Sequence, residues 1–343
     1  MIDKSNIIIS NKEAVIACDL FLSLRLYHLP EWLQDRLKIA FPNVKIIPVN
    51  TPGNPLINEE ATVYWGNRIT SEIIRNMPRL EWVHFGSVGV NRANAEEVSK
   101  RNILITSSRG LVISSMVATA AAFMTNLARG LHYSQILRNK GDMSRESFDN
   151  YFNQIHELSD ERCLIVGFGD VGNRLVKVCK ALEMSVSAVG RTIDEHDLLD
   201  NIFTLEQLSD AVSDADYVVN LLPLNAETNK VFTRQVFNRM KSSAFFINIG
   251  RGETVDEESL ILALKSKQIA GAGLDVFAQE PLTKDSPLWN MESVILSPHV
   301  AGLSKGYWDR QADLFMHNLK HYLERNNELM RNIVDITPRS ALR

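Results

Sequence analysis

The stretch from Cys163 to Leu182 constrains this chain more than any other. Four apolar residues, Cys163-Leu164-Ile165-Val166, read as a buried strand and run directly into Gly167-Phe168-Gly169-Asp170-Val171-Gly172. Leu175, Val176, Val178 and Leu182 then recur at helical spacing. Strand, glycine turn and helix in immediate succession form the phosphate-binding start of a dinucleotide-binding βαβ unit. In that geometry Gly167 permits the tight turn, Gly169 lets a pyrophosphate approach the backbone, and Gly172 lets the helix pack on the strand. Phe168, Asp170 and Val171 complete the turn, and the free N–H groups at the helix start face the phosphates. Three glycines alone are equally satisfied by an ordinary tight turn. The flanking strand and helix, with a further strand at 185–189, favour the nucleotide.

The same alternation continues beyond the motif. Strands are expected at 163–167, 185–189, 217–221, 244–248, 271–275 and 294–296, with helices at 171–182, 205–212, 234–240 and 256–265 between them. Six strands joined by crossovers call for a doubly wound parallel sheet. Upstream, apolar runs at 14–17, 44–49, 62–65, 82–85 and 103–105 alternate with helix-like segments such as 31–40 and 71–77, a smaller α/β unit. Residues 115–138 read as one long helix-like segment, without proline or internal break until Gly130, joining the two, and 305–326 as a helix that docks back on the first unit. A length of 343 residues suits two domains. The expected division is 1–108 with 305–343, and 109–304.

Composition narrows the partners. A formal charge of −4, 23% charged residues and no block of like charge give no footprint for nucleic acid. The most apolar stretch, 116–127, is interrupted by Thr119, Thr125 and Asn126 and is too short for a membrane span. Cys18, Cys163 and Cys179 lack paired spacing and are expected to be buried and reduced, and no signal-peptide pattern opens the sequence. A cytoplasmic protein without membrane or nucleic-acid partners is the expectation.

The residue that follows the second strand of such a unit discriminates between cofactors. An acidic side chain there holds the ribose 2′-hydroxyl of NAD, whereas residues 185–189 end in Gly190-Arg191-Thr192. A guanidinium and a hydroxyl suit a 2′-phosphate, so NADP is preferred, with NAD possible. Arg191 read alone is also an ordinary solvated loop arginine.

Three further residues follow later strands and so fall at the ligand-binding edge of the sheet. Arg251, in Asn248-Ile249-Gly250-Arg251-Gly252, has a planar fork able to hold a carboxylate and polarise the neighbouring carbonyl as charge develops on oxygen. Glu280 follows the fifth strand, and His299 follows the sixth in Ser297-Pro298-His299. A carboxylate paired with an imidazole orients it to give or take a proton, the acid-base half of hydride chemistry. Each of the three alone is as well explained by structure.

Taken in order, these segments resemble the D-isomer-specific 2-hydroxyacid dehydrogenase family, nearest its glyoxylate and hydroxypyruvate reductase branch. The resemblance rests on Gly167-x-Gly169-x-x-Gly172, Leu222-Pro223-Leu224 with Glu227-Thr228, Asn248-x-x-Arg251-Gly252, Leu274-Asp275-Val276-Phe277-x-x-Glu280-Pro281-Leu282 and Ser297-Pro298-His299-x-Ala301-Gly302. It implies a doubly wound cofactor domain inserted in a flavodoxin-like substrate domain, and a homodimer paired through 115–138. It implies Arg251 as substrate anchor, Glu280 as partner of the acid-base His299, and Leu222, Pro223 and Asp275 on the cofactor side, with Asp275 near the nicotinamide. Gly86-Ser87-Val88-Gly89-Val90-Asn91 resembles the family's substrate loop, which implies that backbone at Ser87, Val88 and Gly89 receives the substrate carboxylate. That segment by itself is equally a tight turn. Members often carry a glutamate where this chain has Thr119, and no role is assigned there.

Two other classes of reading compete. A non-catalytic, nucleotide-sensing scaffold of the same fold would not need Arg251, Glu280 and His299 together. A methyltransferase on a similar sheet would leave all three without a task. His317 and His321, one helical turn apart, lack the glutamate of a zinc-protease helix and are expected to pack or face solvent.

Overall fold

The computed structural model describes residues 12–21, 28–49, 58–90, 95–191, 193 and 196–335. They divide into two compact units, one ending at Val112 and resuming at Leu303, the other spanning Ile113–Gly302.

The first unit runs β1 (Ala14–Cys18), α1 (Glu31–Ala40), β2 (Val44–Pro48), β3 (Val63–Gly66), α2 (Ser71–Asn76), β4 (Trp82–Phe85), α3 (Ala95–Lys100) and β5 (Leu104–Ser107). Its strands lie in the order β2-β1-β3-β4-β5, every neighbour parallel, which is the flavodoxin-like arrangement. Thr70 caps α2 by accepting the Ile73 N–H. The second unit opens with α4 (Ile113–Ala128), α5 (Leu131–Asn139) and α6 (Arg145–Asp149). The single helix expected over 115–138 is therefore two. Gly130 adopts the left-handed conformation at φ 60°, and a Cβ there would lie 2.5 Å from Ile155 Cδ1, so the break is built into the packing.

Next come β6 (Arg162–Val166), α7 (Asp170–Ala181), β7 (Ser185–Val189), β8 (Asn201–Phe203), α8 (Leu208–Ala211), β9 (Tyr217–Asn220), α9 (Arg234–Arg239), β10 (Phe245–Asn248), α10 (Glu257–Lys265), β11 (Gly271–Leu274) and β12 (Val294–Leu296). The order is β12-β11-β10-β9-β6-β7-β8, all parallel, a doubly wound Rossmann-type sheet. Sequence pattern missed β8, which has only three residues and two of them exposed. Cys163–Val166 of β6, and β9 and β10 up to their terminal asparagines, are buried and read as apolar runs because helices cover both faces of the sheet. Strand order reverses between β6 and β9, and the crevice outside their carboxyl ends is where such sheets bind ligands.

The chain then returns to the first unit as α11 (Tyr307–Glu324). Ala312, Phe315, Leu319 and Leu323 join the core of Ile16, Trp65 and Trp82, with Phe315 stacked on Trp65 at 3.7 Å. Each large apolar side chain enclosed in this way contributes about 1.5–3 kcal/mol. The tail forms a bridge from Ile333 to Thr106, while Ile336 lies outside the described residues. Cys18, Cys163 and Cys179 are buried free thiols, and burial raises Cys18 to about 12. No helix among the described residues is long and apolar enough to cross a membrane. His317 Nε2 lies 3.0 Å from the Leu329 carbonyl, and its ring packs edge-on against His321.

Candidate active site

The glycine turn after β6 has the geometry that its spacing requires. Gly167 sits at φ 99°, and a Cβ there would lie 2.9 Å from the Leu221 carbonyl carbon, so the loop after β9 packs directly on it. Gly172 is as confined, its virtual Cβ 3.0 Å from the Gly167 carbonyl oxygen. Gly169, which precedes α7, faces open space with nothing within 4 Å of its virtual Cβ. Two closed glycines and one open one at the start of a 12-residue helix suit a pyrophosphate laid against the helix start. Phe168 and Val171 pack partly buried on the core beneath, and Asp170 opens α7.

The loops on the β9 and β10 side are held by a buried polar network. Asn220 Nδ2 donates to Asn248 Oδ1 at 3.0 Å and to Thr254 Oγ1 at 2.7 Å, while Asn220 Oδ1 accepts the Leu222 N–H. Asn248 Nδ2 and Thr254 Oγ1 both donate to the Arg251 carbonyl. All three side chains are buried and bonded, so Leu222 and Arg251 are fixed from one centre. Pro223 accepts the Thr228 hydroxyl at 2.6 Å, which closes the 222–228 loop. Asn220 and Thr254 went unnoticed in the sequence. The available signal was a polar residue ending an otherwise apolar buried strand, as in Tyr217–Asn220 and Phe245–Asn248.

Arg251 is half-buried, with Nη1 donating to the Gly250 carbonyl at 2.7 Å. Its neighbour Gly252 lies against the next loop so closely that a Cβ would fall 1.8 Å from the Phe277 carbonyl oxygen. The Arg251 turn and the loop carrying Glu280 are thus in backbone contact. Glu280 Oε1 accepts the Phe277 N–H at 3.1 Å, and Oε2 lies 2.7 Å from Nδ1 of His299. His299 itself sits at φ 53°, a left-handed conformation uncommon for a residue with a side chain.

Asp275 explains how that conformation is held. Its carboxylate, 1% exposed, accepts the Val300 and Ala301 N–H groups at 2.9 Å each and the Ser297 hydroxyl, while its carbonyl accepts the His299 N–H at 2.8 Å. The side chain is committed to the loop that carries His299. The sequence resemblance had placed it near the nicotinamide, and the loop contacts are a task that sequence did not show.

Arg191 follows β7 and is mostly exposed, with Nη1 4.0 Å from Glu227 Oε2. Thr192 lies outside the described residues. The turn after β4 belongs to the first unit. There Ser87 Oγ donates to the Gly89 carbonyl at 2.8 Å, Val88 is exposed, and Asn91 lies outside the described residues. Below this turn runs a second buried network, Trp82 Nε1 to Thr106 Oγ1, His84 Nδ1 to Thr106 Oγ1, His84 Nε2 to Gln311, and Gln311 to Ser108, whose hydroxyl also reaches the Phe85 carbonyl. The Tyr307 hydroxyl donates to the Gly86 carbonyl.

Comparison with known proteins gives the family. Residues 121–301 match the model of the D-isomer specific 2-hydroxyacid dehydrogenase, NAD binding domain. The chain belongs to that family. A probable 2-ketogluconate reductase of Dictyostelium discoideum is 33% identical over 236 residues, 68% of this chain and 70% of that protein. A glyoxylate reductase of Thermococcus gammatolerans is 31% identical over 257 residues, 74% of this chain and 76% of the relative. Among solved structures, the TT0316 protein of Thermus thermophilus shares the fold at a TM-score of 0.80 and 24% identity, covering 94% of this chain and 100% of its own. This member of the D-isomer specific 2-hydroxyacid dehydrogenases is accordingly an NAD(P)-dependent oxidoreductase acting on a CH–OH group.

Proposed function

We propose that the chain reduces a small 2-keto acid, of glyoxylate or hydroxypyruvate type, to the D-2-hydroxy acid, with NADPH preferred over NADH. The observation that carries this reading is the 2.7 Å contact between His299 Nδ1 and Glu280, in the same unit and at the same sheet edge as the Gly167–Gly172 turn. The names of the relatives, glyoxylate reductase and probable 2-ketogluconate reductase, point to the same substrate class.

The bound nicotinamide supplies the hydride. Glu280 engages Nδ1 and so leaves Nε2 of His299 to deliver the proton to the carbonyl oxygen, or to take it from the alcohol in the reverse direction. Arg251 anchors the substrate carboxylate through the part of its fork not engaged by Gly250, and its charge offsets the negative charge that develops on oxygen. Backbone N–H groups of Ser87, Val88 and Gly89 are the proposed receivers of the carboxylate. Gly167 to Gly172 take the pyrophosphate, Leu222 and Pro223 line the adenosine side, and Arg191 with Thr192 takes the 2′-phosphate. Asp275 serves the nicotinamide side through the loop that it holds. The reading includes a cytoplasmic homodimer paired through 115–138, where Leu131 is 52% exposed.

Initial rates of NADPH and NADH oxidation, measured against keto acids from glyoxylate and hydroxypyruvate to bulky analogues, test it. Turnover favouring NADPH with the small acids supports the assignment. Cofactor binding without turnover of any keto acid would replace it with a nucleotide-sensing scaffold.

A further inference from the structure

The Arg191 to Glu227 contact crosses the adenosine side of the crevice. Arg191 follows β7 and Glu227 lies in the loop after β9, the strands on either side of β6. Gly167, at the end of β6, touches the Leu221–Leu222 backbone, so the β9 loop leans over β6 towards the β7 side. The 4.0 Å ion pair thus spans the carboxyl end of β6, beside the phosphate turn. Glu227 is placed by its own loop, in which Asn225 Oδ1 accepts both the Glu227 and Thr228 N–H groups and Thr228 closes on Pro223. The loop thus fixes the Glu227 backbone, while its exposed carboxylate meets Arg191.

We infer that Glu227 is a specificity-determining residue, the carboxylate that moderates the preference for a 2′-phosphate and supplies the acceptor for a ribose 2′-hydroxyl. The end of β7 lacks the acidic residue that usually holds this hydroxyl, and Glu227 brings one to the same place from the opposite wall. With NADPH, the 2′-phosphate must displace Glu227 from Arg191 and remain near its negative charge. With NADH the carboxylate accepts the 2′-hydroxyl and keeps its arginine. One cation and one anion at this position give a site that takes both cofactors.

This inference rests on the reading of Arg191 as the 2′-phosphate ligand, and calorimetric titration with adenosine 2′,5′-bisphosphate and adenosine 5′-monophosphate separates the two. Glu227→Ala is expected to tighten the bisphosphate about three- to tenfold and to weaken the monophosphate about twofold or more. Glu227→Gln, which keeps an acceptor oxygen and loses the charge, should tighten the bisphosphate and restore the monophosphate. A merely structural role would shift both ligands the same way. Unchanged constants, or constants moving together in Glu227→Ala, overturn the inference. Arg191→Ala should weaken the bisphosphate about tenfold and leave the monophosphate alone. An unchanged bisphosphate constant there overturns the Arg191 reading, whatever the Glu227 variants do.

Discussion

Nδ1 of His299 lies 2.7 Å from Oε2 of Glu280, and the other oxygen of that carboxylate accepts the Phe277 N–H. The imidazole is therefore oriented by a group that is itself tied to the backbone of its own loop. A general acid removed outright costs roughly 10²–10⁴ in rate. His299→Ala should lower kcat by about that factor and leave NADPH affinity, followed by cofactor fluorescence, within about twofold. Glu280→Gln keeps a hydrogen-bond acceptor without the charge and should cost less, about tenfold or more. Wild-type turnover in His299→Ala would remove the histidine from the mechanism.

Asp275 holds the loop that carries His299 through the Val300 and Ala301 N–H groups and the Ser297 hydroxyl. Asparagine at this position presents an NH2 group where at least one N–H must be accepted. Charge-assisted bonds of this kind are worth about 1.5–3 kcal/mol each, so Asp275→Asn should destabilise the chain by about 2–3 kcal/mol. Because His299 needs a φ of 53°, relaxation of the loop should also lower kcat. A urea midpoint and a kcat both equal to wild type would show that the clasp contributes nothing.

Gly252 has no room for a side chain. An added methyl group would sit 1.8 Å from the Phe277 carbonyl oxygen, a backbone atom that cannot rotate away. Gly252→Ala must separate the Arg251 turn from the Glu280 loop, at a cost of about 3 kcal/mol. Keto acid KM should rise as well, since Arg251 shifts with its turn. The check is the chemical denaturation midpoint together with KM, and an unaltered pair of values contradicts the close approach.

Much of the site was legible because its chemistry is written in consecutive residues. The Gly167 to Gly172 turn, Arg251 between glycines, and the His299 loop each follow an apolar run, and a strand end is recognisable without coordinates. The pairing of Glu280 with His299 was expected from the sequence, whereas the hold of Asp275 on the His299 loop was not legible. Glu280 and Asp275 both end the same segment, yet Glu280 meets the imidazole while Asp275 is sealed beneath it. Only the direction of each side chain separates them. Asn220, Asn248 and Thr254 meet across β9, β10 and the following turn, and Glu227 meets Arg191 from 36 positions away. Sequence spacing carries no information about such contacts. Gly130 was visible as an interruption of 115–138 but did not by itself divide the helix, since glycine within an apolar helical pattern is tolerated in many helices and becomes a stop only where Ile155 crowds it.

His84 makes the first unit sensitive to acid. The ring is fully buried between Thr106 and Gln311, and burial lowers its pKa from 6.5 to about 3. In the unfolded chain a histidine titrates near 6.5. Between these values the unfolded state binds a proton that the native state refuses, so native stability is complete above about pH 6.5 and falls as pH drops towards 3. Each pH unit in that window is worth up to about 1.4 kcal/mol, or about 3 kcal/mol by pH 4. His84→Gln cannot take up that proton. Its urea midpoint at pH 8 should be lower than wild type, because the bonds to Thr106 and Gln311 are imperfectly replaced. Between pH 6.5 and 4, however, the midpoint of the variant should decline less steeply than wild type, and the two curves should converge. Carboxylates titrate in both proteins and cancel in the difference. Parallel curves over this range would mean that His84 titrates alike in the folded and unfolded chain, and that the buried network beneath Gly86 does not exclude its proton.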